Sequence, residues 1–159
     1  MLKTSLIAAT FALAACGGSS SPATHFAATL SGANETPTPP HPNAAGAGTA
    51  TYTVNGTTVN YTVTFTGLSG NATAGHIHVG IASEAGGVVV PFTVPAATSG
   101  TFSGSFTAAD VKAGSTANQT ITAGSLDSML AAMRAGATYT NIHTASNPAG
   151  EIRGQNQPQ

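Results

Sequence analysis

Charge is what this 159-residue sequence has least of: Lys and Arg number 4, Asp and Glu 5, and charged residues make up 6%. A typical soluble chain carries about 25%. Four cations cannot neutralise the row of phosphates that a nucleic acid presents, so that class of partner is excluded. Trp is absent and Cys16 is the single cysteine, so no intramolecular disulfide can form. Glu, Lys and Leu are too scarce for a long coiled coil. The net charge of −1, with abundant β-branched residues, argues against disorder of the whole chain. Catalytic signatures are missing as well. There is no Gly-x-Ser-x-Gly elbow, no phosphate-cradling loop and no cysteine nucleophile apart from Cys16. Asp110 and Asp127 fall at helix-start positions, which leaves little for a catalytic carboxylate pair.

What is present begins with an address. Residues 1–15 read as an export signal, with Lys3 followed by the apolar stretch Leu6 to Ala15. That stretch is too short to remain as a membrane-spanning helix. Leu13-Ala14-Ala15-Cys16 resembles a bacterial lipobox, which implies an acylated Cys16 and a lipid-anchored envelope protein. A plain secretory signal with a free thiol is the alternative. Gly17 in place of Asp after the cysteine implies the outer membrane if the source is Gram-negative. Residues 16–24 then form a Gly/Ser-rich tether, and residues 25–159 the folded domain.

Within that domain the hydrophobic period is two. Val59, Tyr61, Val63 and Phe65 alternate with Thr58, Asn60, Thr62, Thr64 and Thr66, the pattern of a strand buried on one face. Ala50, Tyr52 and Val54 alternate in the same way upstream, and Asn55-Gly56 supplies the tight turn of a hairpin over 48–66. Further strands are expected at 26–31, 75–81, 88–94, 100–106, 138–144 and 151–155. The proline-rich segment Glu35 to Ala47 must be a loop, because proline cannot donate to a ladder. One helix is expected near 125–135, where Leu126, Met129, Leu130 and Met133 make a single apolar stripe. Ser125 can cap its start and Gly136 close its end. The expected fold is all-β: an antiparallel, Greek-key-like sandwich of roughly seven to nine strands with this one short helix.

The candidate chemistry is a set of histidines. On a strand His76 and His78 project to one side while Ile77 points to the other. His143 lies in a second strand-like segment, sharing a face with Tyr139 and Asn141. If those strands are neighbours, three imidazoles could meet one ion, and a three-nitrogen site suits copper or zinc better than calcium or magnesium. The same histidines could instead make hydrogen bonds that only stabilise the fold. His25 and His41 read as exposed histidines, with a fourth-ligand role as the alternative. Glu35 reads as an anchor for its loop, ahead of a metal ligand or a solvated charge. Glu151 and Arg153, two residues apart and so on one strand face, read as a structural ion pair, with a partner-binding role as the alternative.

Four stretches taken in order resemble the CHRD domain, named for chordin and common in bacterial envelope proteins. They are Leu30-Ser31-Gly32-Ala33-Asn34-Glu35-Thr36-Pro37, Ala74-Gly75-His76-Ile77-His78-Val79-Gly80, Tyr139-Thr140-Asn141-Ile142-His143-Thr144, and Asn147-Pro148-Ala149-Gly150-Glu151-Ile152-Arg153-Gly154-Gln155. The resemblance implies a β-sandwich used as a binding or scaffolding module, without an assigned enzymatic activity, its protein or small-ligand partner unidentified. It also implies a distant likeness to copper/zinc superoxide dismutase, since His76, His78, His143 and Arg153 follow that enzyme's order of ligands and late arginine. The zinc-loop ligands and disulfide of that enzyme have no counterparts here, which argues against a working dismutase. A copper-dependent redox enzyme and a purely structural envelope domain are the competing readings.

Overall fold

A computed structural model describes residues 21–38 and 42–159. Cys16, the export signal and His41 lie outside the described residues. The elements run β1 (His25–Ser31), β2 (Ala47–Asn55), β3 (Thr58–Thr66), β4 (Ala72–Val79), β5 (Val88–Phe92), β6 (Gly100–Thr107), β7 (Gly114–Ser115) and β8 (Thr120–Ile121). Then come α1 (Leu126–Arg134), β9 (Thr138–Thr144), β10 (Ile152–Gln155) and β11 (Gln157–Pro158).

The alternation of Thr with Val, Tyr and Phe does what period two dictates. Val59, Val63 and Phe65 of β3 are fully buried, whereas Thr62 and Thr64 face outward and bond Ser103 and Thr101 of β6. Gly56 and Thr57 form the β2–β3 turn, one residue later than expected because Asn55 still pairs with Thr58, and Gly56 sits at φ +59°, a conformation open to glycine at little cost. Thr107 and Asp110 bound a short 3-10 turn, the Asp110 carboxylate accepting from the Thr107 backbone at 2.8 Å. In α1 the Ser125 side chain accepts from the Ser128 backbone, and Met129, Leu130 and Met133 pack into the core.

The main strands form one antiparallel sheet in the order β5-β4-β9-β10-β1-β2-β3-β6, with β11 added beside β1. The sheet curls until its halves face each other and it is nearly closed as a barrel. Its two end strands approach through Phe92 and Phe102, whose ring centroids are 5.7 Å apart. Across the interior, Tyr52 Oη of β2 and Thr140 Oγ1 of β9 lie 2.5 Å apart, and Thr140 donates on to Asn156. This satisfies polar groups that would otherwise be costly to bury. The small hairpin β7–β8 and strand β11 carry no alternating pattern and were not expected from the sequence.

The topology decides where the histidines go. β9 sits between β10, the next strand in the chain, and β4, which is far from it in sequence, and every residue of β9 is buried. Its inner face meets the core through Ile142. Its outer face is covered by Glu35, by Gly86 and by the turn at Pro148.

Candidate metal centre

Pairing of β4 with β9 sets His76 opposite Asn141, His78 opposite Tyr139 and Ala74 opposite His143. His76, His78 and His143 therefore emerge on one face, away from Ile77 and Ile142, and one ligand nitrogen from each lies within 4.8 Å of the others. Ring centroids are 4.8 Å apart for His76–His143, 5.3 Å for His76–His78 and 5.7 Å for His78–His143. Nitrogens bound at ~2.0–2.1 Å to one ion stand ~3.3–3.6 Å apart, so small side-chain rotations would close the cluster on a metal.

Hydrogen-bond partners fix the tautomers. His143 Nδ1 lies 3.0 Å from the Pro148 carbonyl and His78 Nδ1 lies 2.9 Å from the Gly86 carbonyl. A carbonyl only accepts, so both Nδ1 atoms carry the proton and both Nε2 atoms present lone pairs. His143 Nε2 takes a hydrogen bond from His76 Nδ1 at 3.0 Å. His78 Nε2 is buried with no hydrogen-bond partner among the described residues. A metal-binding histidine commonly has its second nitrogen held by a carbonyl in this way.

Burial keeps the rings neutral. Desolvation, reinforced by neighbouring His143, lowers His76 to about 4. Desolvation lowers His78 to about 4 as well, although its bond to Gly86 opposes the shift. Burial also lowers His143, against its bond to Pro148. Neutral imidazoles are the form that binds metal.

The other expected residues lie apart from this cluster. Glu35 Oε1 accepts from Asn141 Nδ2 at 2.5 Å, which ties the proline-rich loop to β9. Desolvation raises the Glu35 carboxyl to about 7, only partly offset by Asn141. His25, at the start of β1, is exposed and shares a hydrogen bond with Thr53. The expected Glu151–Arg153 ion pair is replaced by separate partners. Glu151 precedes β10, where the chain turns, and its carboxylate accepts from Asn43, the Ser69 backbone and side chain, Thr144 and Asn147. Arg153 donates through Nη2 to the Ile81 carbonyl and Gln155, and its guanidinium lies 3.5 Å from the centre of the Tyr139 ring.

A mostly antiparallel β-domain with three convergent imidazoles defines the class of protein. Residues 26–156 match the family model of the CHRD domain, and the chain belongs to that family. Comparison with curated proteins and with solved structures gave no significant match. Family membership supports a non-catalytic domain of unknown function.

Proposed function

We propose that this chain is a lipid-anchored envelope protein whose CHRD domain holds one copper or zinc ion through His76, His78 and His143. The observation that carries the metal reading is the buried, unpartnered Nε2 of His78, set beside the Nε2 lone pair of His143. A buried polar atom without a partner is costly, and a metal would give it one. His76 supplies the third nitrogen once its ring takes the other neutral tautomer, with the proton on Nε2 and the Nδ1 lone pair free. The lipid anchor rests on residues 13–16 of the sequence, which lie outside the described residues.

Titration of the metal-free full chain with Cu(II), Cu(I) and Zn(II), followed by calorimetry, tests the site. One equivalent should bind, and His78→Ala and His143→Ala should each remove that binding. Equal binding in the variants would overturn the reading. A purely structural role is favoured by the His76–His143 hydrogen bond, and it requires His76→Ala to lower the melting temperature equally with and without metal. Redox catalysis requires the copper-loaded protein to remove superoxide faster than free copper does. Metabolic labelling with palmitate in a bacterial host, lost in Cys16→Ala, tests the anchor.

A further inference from the structure

Arg153 is buried to 1% exposure, yet among the described residues no carboxylate pairs with it. Burying a guanidinium without a counter-charge is costly, because it loses hydration that neutral carbonyls replace only in part. Its Nη2 bonds the Ile81 carbonyl and the Gln155 side chain, and its face stacks on Tyr139. Nη1 is buried and has no hydrogen-bond partner among the described residues. The nearest acid, Glu35, is turned to Asn141, and burial holds its carboxyl at about 7, so it is only partly ionised at neutral pH.

Arg153 also lines a cavity of about 420 Å³ together with Ala33, Asn34, Thr36, Ala82 and Gln155. The surrounding polar groups hold the arginine rather than neutralise it. Asn34 Nδ2 donates to the Arg153 backbone carbonyl at 3.0 Å, and Gln155 Nε2 donates to the Gly80, Gly136 and Thr138 carbonyls. The guanidinium is thus held in the wall of an open space large enough for a small organic molecule, and its enclosed Nη1 is reached from that space by a small side-chain shift.

We propose that this cavity binds a small organic monocarboxylate, its carboxylate meeting Arg153. A single cation matches a single negative charge, and the planar guanidinium fits a carboxylate edge-on. The alanine methyls on the wall leave room for a short apolar tail. This site is separate from the histidine cluster and does not depend on a bound metal.

The test is a titration of the full chain with sodium acetate in EDTA, at constant ionic strength, followed by amide NMR shifts. Saturable shifts centred on Asn34, Thr36, Ala82 and Gln155 are expected. Arg153→Lys should weaken binding at least about tenfold by losing the planar donor fork. Ala82→Trp, at an exposed position on the rim, should abolish binding with unfolding temperature unchanged, which separates occupancy from folding. The His143→Ala variant should bind acetate as the parent does. No saturable shift at these residues, undiminished binding in Ala82→Trp, or inorganic phosphate binding more tightly than acetate would each overturn the assignment.

Discussion

The ring of His78 lies parallel to that of Tyr139, 8° from coplanar with centroids 4.9 Å apart. The Tyr139 hydroxyl also accepts from the Gly86 backbone N–H at 3.2 Å, and the Gly86 carbonyl accepts a hydrogen bond from His78 Nδ1. One residue thus steadies both the plane of the imidazole and the carbonyl that sets its tautomer. Arg153, from β10 on the other side of β9, completes the stack.

Replacing Tyr139 should therefore weaken metal binding without touching a ligand. Partners that orient a ligand are worth roughly 10–100-fold in affinity. Tyr139→Leu is expected to lose about that much, and Tyr139→Phe less, because it keeps the stack and loses only the Gly86 bond. Calorimetric affinities of the two variants check the order. Equal affinities in parent and Tyr139→Leu would show that His78 needs no such support.

Glu151 is fully buried, and its carboxylate joins three segments through Asn43, Ser69, and the turn that holds Thr144 and Asn147. Burial pushes its carboxyl up, but the hydrogen bonds from Thr144, Ser69 and Asn43 outweigh it and hold the group at about 2. A carboxyl lower in the folded than the unfolded chain stabilises the fold above its unfolded value of 4.5, and that stability is lost as pH falls toward 2. Glu151→Ala strands several donors and should cost roughly 3 kcal/mol at neutral pH, read from urea midpoints. It should also flatten the acid limb of the stability curve.

Glu35 has the opposite sign. Its folded carboxyl is raised by burial to about 7 from 4.5, so the folded state binds the extra proton and stability falls as pH rises through that window. His76 and His78, lowered to about 4 from 6.5, pull the metal-free protein the other way between those values. The Glu35 contribution is isolated by comparison with Glu35→Gln, which keeps an acceptor for Asn141. That variant should gain about 2 kcal/mol over the parent at pH 8, allowing for screening of a partly exposed group, and nothing at pH 4. A constant difference across the range would contradict this assignment.

Gly154, in β10 between β9 and β1, leaves no room for a side chain: a Cβ there would collide with the Thr29 carbonyl oxygen of β1. Because the obstacle is backbone, Gly154→Ala should destabilise by more than about 2 kcal/mol, again by urea midpoint. Gly56→Ala touches nothing within 4 Å and should cost less, its penalty coming from φ alone.

Much of this arrangement was legible before any coordinates. Period-two alternation places Val59, Val63 and Phe65 inside, and the spacing of His76 and His78 puts both rings on one face. The stripe from Leu126 to Met133, with Ser125 before it, marks the helix. The sequence could not show that β9 lies between β4 and β10, because strand order depends on packing between distant segments. That insertion is what brings His143 to the other two histidines. Nor could it show Glu151's true partners, since Asn43, Ser69 and the Thr144–Asn147 turn come from distant parts of the chain and resemble ordinary turn residues. Local alternation suggested Arg153 instead, but the turn before β10 and the Tyr139 stack divide the two side chains. The part played by Tyr139 was hidden for a similar reason: only the β4–β9 register makes it a neighbour of His78.

X-ray absorption at the metal edge, on the full chain loaded with one equivalent of zinc or Cu(I), tests the three-histidine centre most directly. The account requires a nearest shell of three imidazole nitrogens at ~2.0 Å and no such shell in His143→Ala. A sulfur neighbour, a shell with fewer than three imidazoles, or a spectrum unchanged by His143→Ala would contradict it.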